Sequence, residues 1–198
     1  MIAIVDYGVG NLRSVKKALD YLGRESVITS SPQVVSEAQR IVLPGVGHFA
    51  ATEALARLGL RDAIVTAIDH GKPFLGICVG MQWLFSGSAE APETPGLDLF
   101  TGRCEQFNND LKCPHVGWNT VEFCAPSRLL RGIAPGAFFY YTHSFRAPVC
   151  EGVSTTTTYG EPFAAVVERE NVFGVQFHPE KSASAGLALF QNFCGVEC

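Results

Sequence analysis

The sequence predicts an α/β domain: an open, mixed, mainly parallel sheet flanked by helices, with an antiparallel extension. Short apolar runs alternate with helical periodicity through the first half. Short β-prone runs separated by turn residues fill the second half. At 198 residues, 47% hydrophobic and 17% charged, the chain is the size of one domain able to bury a sizeable core. Residues 1–198 are therefore expected to form a single domain.

Each element has a local reason. Ile2–Asp6 is an apolar run of the kind a buried parallel strand needs. Leu12, Val15, Ala18, Leu19 and Leu22 recur at helical spacing, and Gly23 follows as a stop. Ser26–Thr29 reads as a second strand. Ser31 and Pro32 then supply an N-cap and a first helical residue. Arg40–Leu43 is a third strand, ended by Pro44-Gly45. A helical pattern spans His48–His70, with a joint at Gly59. Pro73–Ile77 is a fourth strand, and Met81–Phe85 begins another helix. The β-prone runs beyond are Leu99–Phe107, Trp118–Phe123, Ala137–Tyr141, Ser154–Thr158, Phe163–Val167 and Val172–Phe177, and a helix over Ala183–Phe193 follows them.

Composition removes several function classes. Fifteen Lys plus Arg against nineteen Asp plus Glu leave a charge of −4, so a nucleic-acid partner held on a broad basic face is not expected. There is no run of ~18 apolar residues to span a membrane, and the N-terminal apolar run is broken by Asp6, Gly8 and Gly10, unlike a targeting signal. The cysteines are Cys78, Cys104, Cys113, Cys124, Cys150, Cys194 and Cys198. Their odd number and spacing suggest neither a disulfide framework nor a metal site. A reducing cytoplasm is expected, and Cys194 and Cys198 read as incidental thiols and not as a redox pair.

The sharpest motif is Gly76-Ile-Cys-Val-Gly80, where a strand ends and a helix starts at once. A tight strand-to-helix turn pushes the Cys78 side chain out at the carboxyl edge of the sheet, and flanking glycines remove Cβ atoms that would clash. The helix N-terminus beneath it favours a thiolate. Taken alone, the motif fits a buried cysteine in a glycine-rich turn equally well.

Gln176-Phe-His-Pro-Glu180 is the second motif. With Pro179 holding the chain extended, His178 and Glu180 are two apart and point to one side, so the carboxylate can orient the imidazole. Nucleophile, base and acidic orienter form the logic of acyl transfer. By itself this segment is more often a surface turn. The third motif, Pro44-Gly-Val-Gly47, exposes backbone N–H groups at the same edge. The amides of Val46 and Val79 could form an oxyanion hole, and Gly45 and Gly47 make a peptide flip at Val46 sterically accessible. The alternative is a simple strand-to-helix turn. No Gly-Lys-Ser/Thr follows, which argues against a phosphate loop.

Gly-Ile-Cys-Val-Gly-Met-Gln82, Pro44-Gly-Val-Gly47 and His178-Pro-Glu180 resemble the class I (triad) glutamine amidotransferases over nearly the whole chain. Asp6-Tyr-Gly-Val-Gly-Asn-Leu-Arg-Ser14, Pro114-His-Val-Gly-Trp-Asn119 and Tyr140-Tyr-Thr-His-Ser-Phe145 are similar to a branch serving histidine biosynthesis. The resemblance implies a flavodoxin-like fold, with Cys78 attacking the glutamine side-chain amide, His178 moving protons and Glu180 orienting it. It implies that Gly47, Gln82, Glu90, Ser144 and Phe145 hold the substrate, with Glu90 on its ammonium. Neither cofactor nor metal is implied. The ammonia would pass to a separate (β/α)8-barrel cyclase, making imidazole glycerol phosphate and an aminoimidazole carboxamide ribonucleotide, in a heterodimer. Asn11, Trp118, Tyr140 and Lys181 match positions expected near that interface. Three other readings stay open: a related subunit for surface-sugar amidation, a cysteine hydrolase or chaperone-like protein using Cys78 otherwise, and a non-catalytic scaffold subunit.

Overall fold

The computed structural model describes residues 1–108 and 110–196. Its first half alternates as expected: β1 (Ile2–Val5), α1 (Leu12–Tyr21), β2 (Ser26–Thr29), α2 (Pro32–Glu37), β3 (Arg40–Gly45), α3 (Glu53–Arg57), α4 (Leu60–Asp69), β4 (Phe74–Cys78) and α5 (Val79–Gln82). The Ser31 hydroxyl accepts the Val34 N–H at 3.4 Å and Pro32 starts α2. The helical stretch after His48 is divided where expected. A 3-10 turn and α3 end at a left-handed Gly59 (φ 70°), and α4 begins there.

The second half adds a β5 (Gly87–Ser88)–β6 (Ala91–Pro95) hairpin, then β7 (Glu105–Gln106), β8 (His115–Thr120), β9 (Glu122–Phe123), β10 (Phe138–His143) and β11 (Phe145–Arg146). After these come β12 (Val153–Tyr159), β13 (Glu161–Arg169), β14 (Val172–Val175) and α6 (Ala183–Cys194).

Eight strands form one sheet in the order β2-β1-β3-β4-β14-β13-β12-β9. β2 through β14 run parallel, and β13, β12 and β9 extend it antiparallel. β1, β4 and β14 are buried along their whole length, the sign of a sheet covered on both faces. β8 and β10 pair separately as an antiparallel ribbon, with His143 opposite His115 and Tyr140 opposite Trp118. No described helix is long and apolar enough to cross a membrane.

Three expectations need correction. The Leu99–Phe107 run is mostly loop: Gly102 sits at φ 107°, and the backbone is satisfied piecewise against residues 84–89 rather than by a ladder. Trp118–Phe123 is not one strand, because the chain turns at buried Val121 and passes from the β8–β10 ribbon to the main sheet. The helix expected to begin over Met81–Phe85 is the single turn α5, beginning at Val79.

Candidate active site

Cys78 stands at the carboxyl end of β4 with φ 55° and ψ −109°, a backbone conformation that non-glycine residues rarely adopt. The surrounding glycines are required by contact. A Cβ on Gly76 would lie 2.4 Å from the Gly80 carbonyl oxygen, and one on Gly80 would lie 2.0 Å from that of Leu43. A Cβ on Gly45 would meet the Tyr7 hydroxyl at 2.7 Å. The turn into α5 therefore packs backbone against backbone on β3 and β4. Because α5 is one turn long, it sets no long helix dipole beneath the thiol.

Strand register delivers the partners. β14 lies parallel beside β4 with Val175 opposite Ile77, so the segment after β14 emerges next to Cys78. Gln176 Nε2 donates to Cys78 Sγ at 3.6 Å. His178 Nδ1 lies 2.9 Å from Glu180 Oε1, and both side chains are 1% exposed. Their meeting does not come from an extended chain, as the spacing suggested: Pro179–Lys181 is a 3-10 turn that swings the carboxylate back under the ring. Asn11 does not cap α1. Its Nδ2 donates to Glu180 Oε1 at 3.2 Å. The His178 backbone is clamped by β10: its N–H donates to the Tyr140 carbonyl at 2.8 Å, and its own carbonyl accepts from Ser182 Oγ at 2.6 Å.

Burial works against a charged His178, but the negative charge of Cys78 and Glu180 outweighs it and raises the imidazole pKa well above its usual value. Nε2 of His178 and Oε2 of Glu180 are buried with no hydrogen-bond partner among the described residues. A buried donor of this kind is available to a reacting group.

Cys78 opens into a cavity of about 370 Å³. Gly47, Val79, Gln82, Glu90, Ser144 and Phe145 line it, as do His48, Pro114, Thr142 and His143, to which the motifs assigned no role. Val46 is half-buried and not part of the lining. Glu90 Oε2 accepts the Phe49 N–H at 2.8 Å, which fixes the carboxylate at the rim. Trp118, Tyr140 and Lys181 form one patch outside: the two rings meet edge-on at 6.0 Å and the Lys181 ammonium lies 5.5 Å from the Tyr140 ring.

Sequence reasoning gave Gln176, His115 and His143 no function. The alternation in Phe139-Tyr-Tyr-Thr-His143, which turns Phe139, Tyr141 and His143 inward, was the available signal for His143. Cys194 is half-buried in α6, and Cys198 lies outside the described residues.

The glutamine amidotransferase class-I family model matches residues 3–195. A protein of Moorella thermoacetica described as imidazole glycerol phosphate synthase subunit HisH is 49% identical over 97% of this chain and 93% of its own length. One of the same description from Chlorobium luteolum is 45% identical over the full length of both. Among solved structures, PurLQS from Thermotoga maritima superposes with a TM-score of 0.77 at 21% identity, over 98% of this chain and 96% of that one, a likeness of fold.

Proposed function

Because the chain belongs to the class-I glutamine amidotransferase family, we propose that it hydrolyses L-glutamine to glutamate and ammonia and feeds that ammonia to a cyclase subunit in histidine biosynthesis. The observation that carries this reading is the convergence of a strained, cavity-facing Cys78 with the buried His178–Glu180 pair. Relatives 45% and 49% identical over nearly their whole length favour the histidine branch over sugar amidation.

The chemistry follows from the geometry. Cys78 Sγ attacks the side-chain carbonyl carbon of glutamine. The amide oxygen takes up the charge, which the Val79 amide stabilises, joined by that of Val46, outside the cavity lining here, once its peptide flips. His178 enters as imidazolium and gives its proton to the departing nitrogen, so the C–N bond breaks and ammonia leaves. The γ-glutamyl thioester is then opened by water, one of whose protons returns to the neutral His178, and the sulfur leaves as the thiolate it began as while the new acid departs ionised as glutamate. Glu180 holds the ring through Nδ1, and Asn11 holds Glu180. Glu90, Gln82, Gly47, Ser144 and Phe145 hold the substrate's amino-acid end.

The partner is a (β/α)8-barrel cyclase docked on the patch of Trp118, Tyr140 and Lys181 in a cytoplasmic heterodimer. All of residues 1–198 serve as one amidotransferase domain. The test is Cys78→Ala assayed in the complex. Glutamate release should vanish while the cyclase reaction continues on free ammonia. Glutamate release near the original rate would overturn the reading.

A further inference from the structure

The inner face of the β8–β10 ribbon carries a hydrogen-bonded chain that the triad does not use. His115 and His143 are cross-strand partners, 4% and 6% exposed. The direction of the chain follows from its two ends. The Phe145 carbonyl only accepts, so His143 Nδ1, 2.9 Å away, carries a hydrogen. At the other end the Asn119 amide is oriented by backbone: its Oδ1 accepts the Thr120 N–H at 2.8 Å, and its Nδ2 donates to the Thr158 carbonyl at 3.0 Å. The same Nδ2 lies 3.4 Å from His115 Nε2, which therefore accepts. His115 donates from Nδ1 to His143 Nε2 at 3.1 Å. Each ring is a neutral tautomer with one donor and one acceptor, and a second proton on either would set two donors face to face.

The chain continues to the nucleophile. The Phe145 carbonyl also accepts from Gln82 Nε2 at 2.8 Å. That nitrogen donates to Gln176 Oε1 at 3.1 Å, and Gln176 Nε2 donates to Cys78 Sγ at 3.6 Å. We propose that the relay from Asn119 through His115, His143, the Phe145 carbonyl, Gln82 and Gln176 is a positioning network that aims the Gln176 amide at the Cys78 sulfur and fixes the Phe145 edge of the glutamine cavity. It rests on the glutaminase reading and deepens it. The histidines are positioning residues and carry no proton in the reaction. Their surroundings match that role: the rings of Tyr141 and Tyr159 stack on His115 at 5.0 and 4.2 Å, and Phe107 and Phe163 flank His143. Burial lowers the pKa of His115 to about 4 and of His143 to about 3.

The test uses the complex with its cyclase and three readouts: glutamine-dependent kcat and KM, ammonia-dependent turnover, and the rate at which iodoacetamide alkylates Cys78. His143→Phe and His115→Phe should lower glutamine-dependent kcat about 10- to 100-fold and slow alkylation, leaving ammonia-dependent turnover unchanged. His115→Asn, which keeps a donor toward His143, should recover most of the loss. If a phenylalanine variant does not fold, the half-buried Asn119→Ala should still lower kcat roughly 3- to 10-fold. Folded variants at His143 or Asn119 with wild-type kcat and wild-type alkylation would overturn the relay. A wild-type complex that releases no glutamate would overturn the glutaminase reading instead, and alkylation of Cys78 would still report on the relay.

Discussion

Two histidine groups near one cavity are driven to different protonation states. His178 faces Glu180 at 2.9 Å and Cys78, and its imidazolium is favoured. His115 and His143 face each other, an amide and a carbonyl, and are held neutral. Burial pushes all three rings toward neutrality, so burial does not explain the difference; the partner does. Among the described residues His178–Glu180 is the only histidine–carboxylate ion pair. A proton carrier and a neutral scaffold are thus built from one residue type, by setting the negative groups of Cys78 and Glu180 against one and withholding such groups from the other.

Breaking the charged group should cost most. His178→Asn leaves no group to protonate the departing nitrogen and should lower glutaminase kcat by about 10⁴-fold in steady-state assays of the complex. Glu180→Gln keeps the ring but removes one of the two negative groups that raise its pKa, leaving Cys78, and a drop of about 10²-fold is expected. A Glu180 variant worse than the His178 variant would reverse the two roles. Glu90→Gln lies outside both groups. It should raise KM for glutamine roughly tenfold with little change in kcat, because an ammonium contact is made in ground and transition state alike. An unchanged KM would detach Glu90 from the substrate.

How far the sequence anticipated the two groups depends on how local their causes are. The Cys78 elbow was legible because its glycines answer steric demands within a few residues. His178 and Glu180 do meet, but by another geometry than the spacing suggested, since a 3-10 turn brings them together and not an extended chain. Asn11, expected at an interface, also donates to Glu180, a contact 169 residues away in sequence that no local pattern reveals. The alternation in Phe139–His143 could place His143 inward, but not its partners, which meet through the register of β8 on β10 and of β4 beside β14. The β-prone run at Leu99–Phe107 misled in the other direction, because residue propensity does not report the positive φ of Gly102.

The smallest expected effect is on stability. His115 and His143 have pKa values below the usual 6.5 in the folded chain, at about 4 and about 3. Between pH 6.5 and those values the unfolded chain binds protons that the native one refuses, so their contribution is intact above 6.5 and is lost as pH falls. Each should add destabilisation on the order of 1 kcal/mol per pH unit in that window. Urea unfolding at pH 7 and pH 5 should show a shallower pH dependence in His115→Asn than in wild type. Equal slopes would mean that His115 titrates alike in both states.

The most direct measurement of the central claim is the imidazole titration of the folded protein, followed by ¹⁵N NMR with the histidines assigned. His178 should carry both protons at pH 7 and titrate well above its usual value, while His115 and His143 stay singly protonated, at Nδ1, down to about pH 5. A neutral His178 at pH 7, or three histidines titrating together near 6.5, would contradict the account.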